Sequence, residues 1–227
     1  MLEFSEEIPF LWRLSAESGE GFSLVSMVVP FQTGSQNHEH TIQTDVISFS
    51  GDHEKLSEEE TLEWNEEDIQ LFLKLLAVRN GGHIQPIPPN TTQTFKVDLN
   101  DPDTIEIVNI VAAAGFGMTL TVDDLLVADP GDLQQGITDP ETGMSITLHT
   151  VDGYKRGIVV GVEEDEVVCV LLDGIKLGSQ RLQLDPVLAS VQDFADIHVH
   201  DLVVVLSHQL LPARYSSLSP ASSDTLH

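Results

Sequence analysis

Asp152-Gly153-Tyr154-Lys155-Arg156-Gly157-Ile158-Val159-Val160-Gly161-Val162, followed by Val167-Val168-Cys169-Val170-Leu171-Leu172 and Asp173-Gly174, sets short β-branched runs between turn pairs. An Asp-Gly pair between apolar runs is a strong hairpin signal, because glycine takes the positive φ of a tight turn at no steric cost. The acidic stretch 163–166 separates the two runs in the same way. Outward from this stretch, residues 144–150, 157–162, 167–172, 177–184 and 197–206 all read as strands. Five strands at such spacing predict a small barrel or curled sheet over residues 144–210. The Ser-rich residues 211–227 predict a flexible tail.

Upstream, residues 131–143 are rich in Gly, Pro, Asp and Thr and read as a connector between two domains. Residues 1–130 have a different texture. Residues 22–31 and 42–50 are apolar and β-branched and read as a hairpin, with turn residues at 34–37. Ser57 followed by Glu60 has capping-box spacing. The clearer helix start is Asn65, with Glu66, Glu67 and Asp68 in the first turn. Ile69, Phe72, Leu73 and Leu76 then fall at i, i+3, i+4 and i+7, one apolar helical face. Gly81 and Gly82 supply the stop, and the Pro-rich residues 83–93 read as a loop. Residues 95–99 suggest a short strand. Asp101-Pro102 opens a second helix, in which Ile107, Ile110, Val111 and Ala114 repeat the helical spacing. Thr121, with Asp123 and Asp124 in the next turn, has the form of a third helix start. The expected class is therefore α+β: an acidic N-terminal sheet with two or three helices over residues 1–130, then a small SH3-like β-barrel.

The segment 152–174 resembles a Tudor or other SH3-like small barrel, and the resemblance extends over about residues 144–206. It implies a turn with an aromatic residue, a strand, an acidic turn, and a second strand ending in Asp and Gly. Tudor domains that read methylated Lys or Arg do so through an aromatic cage, which attracts the cation electrostatically. Tyr154 is the one residue here that matches such a wall. Leu171, Leu172, Asp173, Gly174 and Ile175 stand where further aromatics would be needed. The resemblance thus implies a fold rather than the reading of a methyl mark.

Charge is the other prominent feature. The 227 residues include 37 Asp and Glu against 10 Lys and Arg, a net charge of −27. Residues 1–150 hold 26 acids and 5 bases, a net of −21, and residues 151–227 hold 11 and 5, a net of −6. Such a surplus repels phosphates and anionic membranes, which argues against direct nucleic-acid binding. It suits solubility, a high-salt interior, or a partner with a basic surface, including a protein that would otherwise bind DNA. The single Cys169 cannot form an intramolecular disulfide and lies in an apolar run, as a buried small hydrophobe would. The start Met1-Leu2-Glu3-Phe4-Ser5-Glu6-Glu7 lacks the form of a signal peptide. The longest apolar runs, 111–118 and 202–206, fall short of the roughly 18 residues of a membrane span. A cytoplasmic protein with no membrane partner is expected.

Catalytic signatures are missing. No dinucleotide fingerprint, Walker-type phosphate loop or Gly-x-Ser-x-Gly elbow occurs. The carboxylates from Asp98 to Glu106 lack the glycine and ligand spacing of an EF-hand and read as helix capping. Two His-x-His pairs remain, His38/His40 and His198/His200. In a strand, i and i+2 share a face, so His198 and His200 with Asp196 would present ligands to a divalent transition metal such as Zn. The other candidate surface is Glu58, Glu59, Glu60, Glu63, Trp64, Glu66, Glu67 and Asp68, seven acids around a tryptophan. With Tyr154, these are the residues expected to dock a partner. The leading expectation is a non-enzymatic acidic adaptor. A His-x-His metal protein or enzyme, and a structural subunit forming a homo-oligomer, are the alternatives.

Overall fold

The computed structural model describes residues 2–4, 10–16, 22–33, 36–49, 59–79, 95–127, 136–176 and 196–213. The chain divides into two compact units, 1–118 and 119–227.

In the first unit, β2 (Leu11–Ala16), β3 (Phe22–Thr33), β4 (Gln36–Phe49) and β5 (Glu60–Glu63) form an antiparallel sheet in the order β4-β3-β2-β5. A separate ribbon pairs β1 (Leu2–Phe4) with β6 (Phe95–Val97). The period-2 logic of a half-buried sheet is clearest in β4. Ile42, Thr44 and Val46 are buried, whereas Thr41, Gln43, Asp45 and Ile47 are exposed. Helix α2 (Pro102–Phe116) lies along β4, and α1 (Glu66–Arg79) lies beside α2. Helix α2 buries Ile107, Val108, Ile110, Val111, Ala112 and Ala113, so its apolar surface is wide, as a largely enclosed helix requires.

Helix α1 starts where the sequence indicates. The Asp68 N–H donates to Asn65 Oδ1 at 2.8 Å, and the Asn65 N–H donates to Asp68 Oδ2 at 3.1 Å. This reciprocal cap satisfies two amides that the first helical turn leaves open. Glu60, the partner expected in the alternative capping box, lies in β5, and Ser57 lies outside the described residues.

The second unit holds a six-stranded sheet in the order β12-β8-β9-β10-β11-β7. Its members are β7 (Thr119–Thr121), β8 (Ser145–Thr150), β9 (Gly153–Glu163), β10 (Glu166–Leu171), β11 (Leu202–Leu206) and β12 (Leu210–Pro212). All pairings are antiparallel except β11 with β7. One face closes on a core that includes Ile146, Leu148, Val159, Val167, Cys169 and Val203. A fully buried aliphatic side chain contributes about 1.5–3 kcal/mol, so this cluster is the main adhesive of the unit.

Several expectations are corrected. The chain is predominantly β, with twelve strands against two α-helices among the described residues, rather than α+β. The expected small barrel does not close: the hydrogen-bonded ladder ends at β7 and β12. Residues 119–127 instead bridge the two sides. β7 pairs with β11, while Leu126 bridges Thr150 at the end of β8 and the Val127 N–H donates to the His149 carbonyl. The helix expected after Thr121 is a single 3-10 turn, Asp123–Leu125, because Thr119–Thr121 is held extended by β11. His38 and His40 lie within β4, since β3 and β4 pair as far as Thr33 and Gln36. The strand expected at 177–184, the loop at 83–93 and most of the tail lie outside the described residues.

Candidate functional site

The sequence-selected acidic face lies at the junction of β5 and α1. β5 is an edge strand whose four residues are all exposed. It pairs with β2 from Leu14↔Glu60 to Leu11↔Glu63, and the Trp64 N–H extends the ladder by donating to the Phe10 carbonyl at 3.1 Å. Glu60 and Glu63 on β5, and Glu66 and Glu67 in the first turn of α1, all face solvent, and among the described residues no ion pair engages any of the four. Glu66 and Glu67 also suit the positive end of the helix dipole. Glu59 differs: its carboxylate meets Arg13 Nε at 2.9 Å, while Arg13 Nη2 donates to Glu39 at 2.6 Å. Those two anions hold the Arg13 guanidinium above its ordinary pKa, the hydrogen bond to Glu39 first. Glu58 lies outside the described residues.

Trp64 and Asp68 sit elsewhere than a docking face would need them. Trp64 is buried, stacked on Trp12 at 4.7 Å and met edge-on by Phe10 and Phe72. Asp68 is buried and accepts the Trp12 indole N–H at 3.0 Å. Burial pushes its carboxyl pKa up, against the lowering effect of the Trp12 and Asn65 hydrogen bonds. These two side chains fasten β2 to the start of α1, and the exposed acids stand on that fastening.

Tyr154, in the second unit, is half-buried. His149, its cross-strand partner, stacks on its ring at 4.4 Å. The residues after it form a turn clamp. Lys155 Nζ donates to Asp152 at 2.7 Å, and Arg156 grips Asp173 through Nε at 2.9 Å and Nη2 at 2.7 Å. Both carboxyls are held below their ordinary pKa, chiefly by these hydrogen bonds. The three cations nearest Tyr154 in sequence therefore include two committed to internal anions.

The His-x-His geometry differs from its premise. Residues 198–200 form a turn, not a strand, so the shared face that would align the imidazoles is missing. The Asp201 N–H closes the turn on the His198 carbonyl at 3.3 Å, and His200 takes φ +69°. A positive φ is uncommon for a residue with a Cβ. His198 is 72% exposed at its side chain, whereas His200 is buried. Asp196 is exposed, and Asp201 accepts the His198 backbone N–H at 2.7 Å. Among the described residues, no three His, Cys, Asp or Glu side chains gather in a group that could hold a metal ion.

Sequence reasoning did not single out Trp12 or Arg13. Trp12 organises the aromatic cluster through partners 52 and 56 positions away, a separation no local pattern reveals. Among the described residues no helix is long and apolar enough to cross a membrane, which says nothing of crossing by strands. No protein-family model matches the chain, and no curated protein matches it.

Proposed function

We propose that the protein is a non-enzymatic binding protein that docks a partner with a basic surface through the β5–α1 junction. The observation supporting this reading is that Glu60, Glu63, Glu66 and Glu67 are exposed and among the described residues engage no cation, although Arg13, opposite Thr61 on β2, is committed to two other anions, Glu39 and Glu59. Anions left open in this way attract a cationic surface over a distance and speed its encounter. Trp64 and Asp68 serve beneath that surface as its support. In this reading the protein works in the cytoplasm, where a lone buried thiol suffices.

The test compares the native chain with an E60Q/E63Q/E66Q/E67Q variant as baits in nuclease-treated lysate at low and high salt. The expected result is a basic protein retained by the native bait at low salt, released at high salt, and not retained by the variant. A partner retained equally by both baits, or none retained by the native bait at low salt, overturns the proposal. Circular dichroism of the variant confirms that its fold is intact.

A further inference from the structure

The β5 strand offers more than charge. In an antiparallel ladder, hydrogen-bonded and non-bonded pairs alternate. Trp64 bonds Phe10, so the next bonded pairs are Leu62 with Trp12 and Glu60 with Leu14. Thr61 and Glu63 then turn their N–H and C=O groups away from β2, towards the outer edge. Among the described residues β5 has β2 as its only strand neighbour, and all four of its residues are exposed. The edge thus presents two amide donors and two carbonyl acceptors at the spacing a further strand would meet.

The side chains select what may add there. A second copy of β5 would have to offer its own Thr61 and Glu63 groups to this edge, and the antiparallel register that sets Thr61 against Thr61 puts Glu63 opposite Glu59 twice. Like charges directly opposed across strands are destabilising. That register is therefore disfavoured for a second copy. The carboxylates of Glu60 and Glu63 favour a strand carrying Lys or Arg, and Leu62, 37% exposed, offers an apolar contact between them.

We propose that a partner protein's extended, basic segment adds to β5 as a fifth strand of the sheet, through main-chain bonds to Thr61 and Glu63 and ion pairs to Glu60 and Glu63. This rests on the acidic docking reading and specifies its geometry. The recognition mode is strand addition, in which backbone bonds supply affinity and alternate side chains supply specificity.

The probe is a fluorescent extended peptide that places Lys on both faces among Val and Thr, compared with the same peptide N-methylated at alternate amides, which keeps charge and removes donors. Thr61→Pro tests the other side. Its missing N–H faces the open edge, a position where proline is tolerated in edge strands. The expected result is salt-sensitive binding of the plain peptide, weakened roughly tenfold or more by N-methylation and by Thr61→Pro. Slowed exchange of the Thr61 and Glu63 amides on binding is expected alongside. Equal binding by the N-methylated peptide and by the folded Thr61→Pro variant overturns strand addition and leaves charge-driven docking standing. Undiminished binding of the peptide to E60Q/E63Q/E66Q/E67Q overturns the docking reading itself. No binding of the plain peptide at low salt overturns strand addition.

Discussion

Cys169 pairs across the sheet with Val159 and Val203 and is fully buried, and that burial pushes its thiol pKa up to about 12. A thiolate is the reactive form, so a neutral, enclosed thiol is inert. Native protein is expected to resist iodoacetamide at neutral pH and to react once denatured, so labelling reads out opening of the second unit's core. Rapid native labelling would contradict the burial. Asp68 works in the opposite direction to most carboxylates. Its folded pKa lies above the ordinary value of 3.8, mainly through burial, so its ionised form costs stability at neutral pH. That cost is present above the folded pKa and disappears as pH falls towards 3.8. Asp101, Asp152 and Asp173 have lowered pKa values and contribute stability that persists until pH falls below 3.8. Urea unfolding of the native chain and Asp68→Asn between neutral pH and that value separates the two behaviours. The native chain is expected to gain on the variant as pH falls, and a constant difference would refute the assignment.

At the scale of elements, the β3–β4 pairing carries an irregularity that α2 resolves. The register passes from Leu24↔Ile47 to Ser26↔Gln43, leaving Thr44, Asp45 and Val46 opposite Val25. A bulge of this kind leaves amides outside the ladder. The Asp45 N–H donates instead to Asn109 Oδ1 at 2.9 Å, and the Thr44 hydroxyl donates to the Val25 carbonyl at 2.8 Å. Asn109 is buried among apolar residues of α2, and its Nδ2 donates to the Ile105 carbonyl at 3.2 Å. Asn109→Ala is expected to lower stability by about 1–2 kcal/mol, seen as a lower urea midpoint at unchanged slope. An unchanged midpoint would show that water satisfies the amide equally well. The distinction between legible and illegible elements follows the range of their causes. Helix α1 was readable because its cap, acidic turn and apolar spacing all lie within 65–76, and the hairpins around Asp152-Gly153 and 163–166 were readable for the same reason. The end of the six-stranded sheet was not, because β7 takes its strand form from β11, some eighty residues later. His198 and His200 carry strand-like spacing, yet contacts of the turn with Leu171 decide their geometry. Trp64 sits among acids in sequence and among aromatics in space. The exposed acids were legible one by one, but their place on an edge strand was not.

Over the whole molecule, the surplus of acids is expected to make salt act on stability and on the proposed docking with opposite signs. Arg13, Arg79, Lys155 and Arg156 are engaged in ion pairs, so most of the net charge of −27 is carried by carboxylates that no cation offsets. Self-repulsion of this kind opposes the compact state, and added salt screens it beyond a Debye length of about 8 Å at physiological ionic strength. Salt also weakens the exposed pairs, but each is worth only about 0–1 kcal/mol. Repulsion is summed over many more carboxylates than there are pairs, so the thermal midpoint is expected to rise between low and physiological salt. The proposed basic partner, by contrast, is expected to be released over the same range. Glu60 and Glu63 separate the two effects, since they lie on β5 and, unlike Glu66 and Glu67, gain nothing from the α1 dipole. E60Q/E63Q is therefore expected to be more stable than the native chain at low salt, to gain less from added salt, and to bind the basic peptide less tightly. That pattern marks residues retained at a cost to folding because they serve a partner. A variant less stable than the native chain at low salt would instead make these two carboxylates part of what holds the sheet together.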